Sequence, residues 1–343
     1  MSLHRFLIAL IILVSPIFAN AQINIAVQNG ENVSFYNSLD SAVTNAESGS
    51  TIYLPGGVID VPNNFVIDKK VNLVGAGHHP EYTKATGRTY LDDDITFTSG
   101  ADSGSVTGVY IDGTLYFGTN ADNQNFSSFS ITRCNVYRIR LAYNTSNSSE
   151  NFLISENIIR RNIIGNNVKN VLILKNIMNN VGTFIIDDYS VQIKNNIFYR
   201  YNYGDPLYRL QYCRLENNII IDGDFPFDEC SNNILNNNLF NWNITFPFNG
   251  NDGVENIVGI DADSIFVDRG SGAFDYYSDL HLLESCPGVE AGTDGYDIGI
   301  YGTSVPYKEG AIPQYPWIKK AIIPSETENG VLRIEMTVEA QTR

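Results

Sequence analysis

The phrases Ile154-Ser-Glu-Asn157-Ile, Ile173-Leu-Lys-Asn176-Ile, Ile193-Lys-Asn-Asn196-Ile, Leu215-Glu-Asn-Asn218-Ile and Leu235-Asn-Asn-Asn238-Leu repeat one local pattern. An aliphatic residue stands three places before each asparagine and another directly after it. The asparagines are 19, 20, 22 and 20 residues apart. A period of this kind marks a stacked repeat, in which each unit buries its apolar face only against its neighbours. The apolar runs are short, partly alternating and rich in Ile and Val, with Asn and Gly between them. They read as strands and turns rather than helix pairs. Each repeat is therefore expected to form one coil of a parallel β-helix, with the recurring Asn as its inward turn residue. Asn tolerates left-handed backbone geometry. Its amide can also bond the amides one coil above and below, about 4.8 Å away.

The N-terminus reads as a secretory leader over residues 1–21. His4 and Arg5 precede an apolar run from Phe6 to Phe18, and Ala19-Asn20-Ala21 supplies a small-residue cleavage site. The alternative, a membrane anchor, is disfavoured because the run is short and Pro16 interrupts it. The mature chain is expected to be exported, to the periplasm, the cell surface or the medium, with no membrane insertion after cleavage.

Thirty-eight acidic residues face 22 basic ones, a net charge of −16. Loss of Arg5 with the leader would make it −17. Such a chain is a poor nucleic-acid binder, which needs clustered Lys and Arg. A local basic strip can still recognise an acidic polysaccharide. Cys134, Cys213, Cys230 and Cys286 would sit in an oxidising compartment, where pairing is allowed. Cys213, however, occupies the place of Phe152 and Val191 relative to the repeat asparagines, and is read as a small buried hydrophobe. There is no C-x-x-C or His-rich spacing, so neither a metal nor a cofactor is expected.

Ahead of the repeats, Tyr36-Asn-Ser-Leu39-Asp-Ser-Ala42-Val43-Thr-Asn-Ala46 has apolar residues at helical spacing, suited to capping the open end of a coil stack. Thr51-Ile-Tyr-Leu54-Pro-Gly-Gly57, Phe65-Val-Ile67 and Val71-Asn-Leu-Val74-Gly-Ala-Gly77 follow as short strands broken by Gly. Near the other end stand Asp263-Ser-Ile-Phe-Val-Asp268, Asp279-Leu-His-Leu282, Ser285-Cys-Pro287-Gly-Val-Glu-Ala-Gly292 and Asp297-Ile-Gly-Ile-Tyr-Gly302. Together these segments resemble the pectin-lyase-like family of right-handed parallel β-helix proteins, over roughly residues 35–302. The resemblance implies an all-β solenoid across 22–302 with an N-terminal cap helix. Residues 303–343 form a Pro-rich extension, in which Gly330–Val338 alternates like a strand. For activity it implies little, since that superfamily hosts lyases, hydrolases, epimerases and adhesins.

Aligning coils on the asparagines stacks Asn167, Asp187, Arg209 and Glu229, with Asp188 and Asp228 beside them. Asp187 and Glu229 would then be about 9.6 Å apart, two steps of the inter-strand spacing. That separation suits the acid and base of an inverting glycosidase, with Arg209 stabilising charge. The plainer reading is a self-neutralising salt-bridge ladder. A second column holds Arg161, Asn180, Arg200, Asp222 and Trp242, and just before it Arg160, Asn179, Tyr199, Ile221 and Asn241. Rings and arginines in a row suit a sugar-binding groove, although an ordinary surface with one Trp over a turn would look the same. The family's hydrolase motifs Asn-Thr-Asp, Gly-Asp-Asp, Gly-His-Gly and Arg-Ile-Lys are absent, as are pectate-lyase-type arginine and calcium patterns. Arg209 loosely resembles the arginine of the alginate- and chondroitin-lyase-like branch, but Asp187 or Asp188 stands where that branch has Lys. Asp92-Asp93-Asp94 and Asp261-Ala-Asp263 are oxygen clusters of the kind Ca²⁺ uses, or simply solvated loop acids. The sequence thus points to a polysaccharide-directed protein, hydrolase or lyase, with a non-catalytic scaffold as the alternative.

Overall fold

The computed structural model describes residues 24–119, 126–142, 149–199, 205–221, 225–270, 274–311, 316–324 and 326–340. They form a parallel β-solenoid of about nine turns. The segment expected to be a leader, residues 1–21, lies outside the described residues.

One sheet stacks the strand ahead of each asparagine, among them Ser149–Ser155, Val168–Leu174, Val191–Lys194, Arg214–Glu216 and Ile234–Asn236. The aliphatic residues three places before the asparagines pair in one column, Ile154↔Ile173↔Ile193↔Leu215↔Leu235. All five are fully buried inside the coil. The helix Leu39–Asn45 caps the N-terminal end through buried Leu39, Ala42 and Val43, and the Ser38 hydroxyl accepts from the Ser41 N–H.

The asparagine ladder is continuous. Each Nδ2 donates to the next Oδ1: Asn157 to Asn176 (3.0 Å), Asn176 to Asn196 (3.0 Å), Asn196 to Asn218 (3.0 Å), Asn218 to Asn238 (2.9 Å) and Asn238 to Asn256 (3.1 Å). Asn256 is thus a sixth rung. Cys134 occupies the preceding rung and donates its backbone N–H to Asn157 Oδ1. A second ladder joins Cys213, Asn233 and Asn251. Cys213 is buried and unpaired, as its core position suggested.

One expectation is corrected. The left-handed residue is not the ladder asparagine but its predecessor: Arg133, Glu156, Lys175, Asn195, Asn217, Asn237 and Glu255 all have φ between 52 and 59°. A rung whose side chain points inward leaves the sharp bend to the residue before it.

The residue after each rung also differs from a simple core position. Ile158, Ile177, Ile197, Ile219 and Leu239 face outward, where they form a second hydrophobic cluster with Ile265, Phe266, Leu280, Ile298, Ile300 and Tyr307. The C-terminal segment therefore lies as a strap across the outer face of the second sheet. The left-handed column holds it in place. Asn237 donates to Ala291 O (2.9 Å), Asn217 to Thr293 (3.0 Å), Asn195 to Gly302 O (2.8 Å) and Lys175 to Val305 O. Beyond the strap, Trp317–Ile322 and Glu335–Glu339 pair as an antiparallel hairpin, largely exposed.

Candidate functional site

The strand register separates the expected charged column. Gly182 pairs with Tyr208 and Phe184 with Leu210, so Thr183, not Asp187, stands over Arg209. Arg209 does stack on Glu229, since Tyr208 pairs with Asp228. The physical reason is an insertion. Five residues lie between Ile185 and Val191, but only one lies between their counterparts Gln211 and Cys213. Asp187 and Asp188 occupy that extra turn and are exposed. Asp188 lies 3.9 Å from Lys169 and accepts from the Ser190 N–H. Ser190 holds the Asp188 carboxyl below its ordinary range. Arg209 Nε meets Glu229 Oε2 at 3.0 Å with side chains 43% and 60% exposed. An exposed pair of this kind contributes little.

The second column is also redistributed. Arg200 and Asp222 lie outside the described residues. Trp242 packs on the end of the solenoid core with Phe246 and Phe248. Tyr199 is 3% exposed and donates to Arg269 O, so it belongs to the strap contact. A bulge sets the remaining pair. Ile159 faces Met178 and Asn162 faces Asn180, leaving Arg160 and Arg161 together opposite Asn179. Bulges re-aim side chains in this way. Arg161 Nη1 donates to the Tyr137 hydroxyl at 2.9 Å. Arg160 turns towards the earlier coils.

There it meets residues that alignment on the five asparagines did not reach. Tyr90, Tyr110 and Asn135 occupy the outward column that Ile158 continues. The Tyr90 and Tyr110 rings stack with centroids 5.1 Å apart. Arg88 and Arg160 lie 4.6 and 4.5 Å from the Tyr110 centroid, within cation–π range. Asp112 balances one of the two charges. It bonds Arg160 Nη1 at 2.7 Å and the Tyr90 hydroxyl at 2.7 Å. The Tyr90 hydroxyl, then the Arg160 guanidinium, hold Asp112 below the usual carboxylate range. The exposed Arg88 guanidinium touches the two rings and has no carboxylate partner among the described residues.

These groups open a cavity of about 330 Å³, lined also by Asn135, Ile158, Ile177, Asn179, Tyr199, Phe274 and Tyr276. Among the described residues, Asn135 Oδ1 and Arg160 Nε are buried there without a hydrogen-bond partner. Tyr276, from the strap, receives the Asn135 Nδ2 donor at 2.8 Å and lies 2.9 Å from His78 Nδ1. The Tyr276 hydroxyl and His78 Nδ1 thus share a hydrogen bond whose direction follows the His78 tautomer.

This Tyr–His pair is a latch rather than a proton relay. Burial pushes Tyr276 up to about 12 and His78 down to about 3. Burial thus opposes both the Tyr276 anion and the His78 cation, so proton transfer between them is disfavoured. Asp112, paired and held low, is a weak base and a poor proton donor. The arrangement is suited to holding an anion against aromatic faces.

The acidic phrases serve the backbone. Asp92 accepts from the Val61 N–H (2.8 Å), Asp94 from Thr114 (2.6 Å) and Asp261 from Asp263 (3.1 Å). Among the described residues no helix is long and apolar enough to cross a membrane. The chain matches no protein-family model and no curated protein sequence.

Proposed function

We propose that this chain is an exported glycan-binding solenoid of the pectin-lyase-like type, and that the Arg88–Tyr110–Arg160 cleft holds an anionic sugar. The observation that carries the reading is Arg88, an exposed guanidinium stacked on two tyrosines and, among the described residues, in no ion pair of its own. In a chain of net charge −16 this is a local positive spot on a flat aromatic surface. A sugar ring lies against tyrosine, while a uronate carboxylate or a sulfate takes the two guanidinium groups. Binding is favoured over cleavage because Asp112, the carboxylate nearest these arginines, is already bonded to Arg160 and to the Tyr90 hydroxyl and so is a weak base. The pairing of Arg209 with Glu229, and the distance of Asp187 from that column, support the same choice.

The test is calorimetric titration of the mature protein with polyuronates, sulfated glycans and neutral glycans. Binding to the anionic members alone is expected, weakening as salt rises. Arg88→Ala removes one charge-assisted contact worth about 1.5–3 kcal/mol, a loss of roughly 10- to 150-fold in Kd. Equal binding of neutral and anionic glycans would refute the proposal, as would an unchanged Kd for Arg88→Ala. New reducing ends appearing in the same mixtures would restore the enzymatic reading.

A further inference from the structure

The outer face of the second sheet changes character along one column. It runs Tyr90, Tyr110 and Asn135, then Ile158, Ile177, Ile197, Ile219 and Leu239. From Ile197 onward the column is sealed beneath Ile265, Phe266, Leu280, Ile298 and Ile300 of the strap. At Ile158 and Ile177 the strap presents Phe274 and Tyr276, and Tyr276 is pinned on one side by Asn135 and on the other by His78. Among the described residues, Arg88 and Tyr110 line the cleft at one end of this column, and Phe274 and Tyr276 wall it at the other.

Resting on the glycan reading above, we infer that the cleft recognises the end of an anionic glycan chain, taking its terminal sugar, while the following sugars leave over Tyr110 and Tyr90. Three observations support this. The cavity, about 330 Å³, lies at the low end of the small-ligand range of about 300–1,000 Å³. It has room for a terminal unit but not for a chain entering and leaving along the axis. Its inner wall is apolar and aromatic, with Ile158, Ile177 and Phe274, so a sugar packs there by its C–H face. The unpartnered Asn135 Oδ1 and Arg160 Nε remain free to bond its polar edge. Behind the wall a second cavity of about 270 Å³ contains Asp279 and Glu309. Those carboxylates repel an anionic chain that would continue past Phe274 and Tyr276.

The experiment is titration with oligouronates of graded length, from the disaccharide upward, read as stoichiometry and Kd. One protein per chain at every length, with affinity levelling off after the first few sugars, is expected. If the number of proteins per chain rises with length while Arg88→Ala still weakens binding, end recognition is wrong and the glycan reading stands. If no anionic oligomer binds at all, both readings fail. Phe274→Ala gives an independent check on a wall residue outside the latch. It should weaken disaccharide binding on the order of tenfold, about 1.4 kcal/mol, with the melting transition retained. An unchanged disaccharide Kd in that folded variant would overturn the inference.

Discussion

Asn196 sits in the middle of the ladder, and replacing it with Ala tests how far the stack depends on amide rungs. Asn196 Oδ1 accepts from the Asn176 N–H (2.8 Å) and Nδ2 (3.0 Å). Its Nδ2 donates to Ile173 O (2.9 Å), Lys194 O (2.9 Å) and Asn218 Oδ1 (3.0 Å). In Asn196→Ala the Asn176 N–H is buried with no acceptor, at a cost of about 1–3 kcal/mol. The other four bonds are worth about 0.5–1.5 kcal/mol each. Three of their former partners keep another bond: Asn176 Nδ2 to Ile154 O, Lys175 N to Lys194 O, and Asn196 N to Asn218 Oδ1. The expected loss is therefore roughly 3–5 kcal/mol, out of a total of about 5–15 kcal/mol for an ordinary fold. Urea unfolding followed by circular dichroism measures it. Asn196→Asp is the sharper companion. It keeps both accepted bonds but turns the donor end into an acceptor facing three oxygens, so it should destabilise at neutral pH and recover partly in acid. A loss below about 1 kcal/mol for the Ala variant would refute the argument that the ladder is energetically central.

Tyr276→Phe strips the partner from the Asn135 donor and from His78 Nδ1, so the strap around Phe274–Leu280 should show faster hydrogen exchange. Unchanged exchange there would contradict the latch. Because His78 is held at about 3 by burial, against about 6.5 unfolded, the unfolded chain takes up a proton first as pH falls. Stability should then decline below about pH 6.5, by up to about 1.4 kcal/mol per pH unit from this residue. His78→Gln should flatten that slope between about pH 6.5 and 4.5, and an identical slope in wild type and variant would be the contrary result. Arg209→Ala should leave the urea midpoint within about 0.5 kcal/mol of wild type, since Arg209 and Glu229 form an exposed pair; a larger loss would mean that the pair is structural.

The solenoid was legible because the rungs recur with the same chemistry, and the inward aliphatic column follows three residues before each. Asn256 escaped notice because Gly253 stands where that aliphatic residue belongs. The outer column was harder to interpret. Ile158 and its equivalents look like core from sequence, and only the strap makes them so from outside. The charged column failed at the four-residue insertion around Asp187, because counting from one asparagine cannot sense an extra turn within a coil. Arg88, Tyr90 and Tyr110 belong to coils whose rungs are not asparagine. Register places Thr89, Val109 and Cys134 in those positions. Had the alignment been carried back through Cys134, Arg88 would have fallen in line with Arg133 and Glu156, and Tyr110 in line with Ile158.

The left-handed column that holds the strap has a consequence for the order of assembly. A bare stack of coils gains stability one neighbour at a time and frays from its ends. Here, residues 291–305 run back across four coils, from Asn237 to Lys175, so opening any one of them strains its bonds to a segment shared by all. That segment is also synthesised after every coil it fastens. A nascent polypeptide that has not yet reached residue 291 lacks the segment that fastens its coils, and its apolar stripe from Ile158 to Leu239 lacks the cover the strap gives it. The finished molecule is thus distinguished from every unfinished one by a single late closing event, like a row of books made firm by the strip glued along their spines.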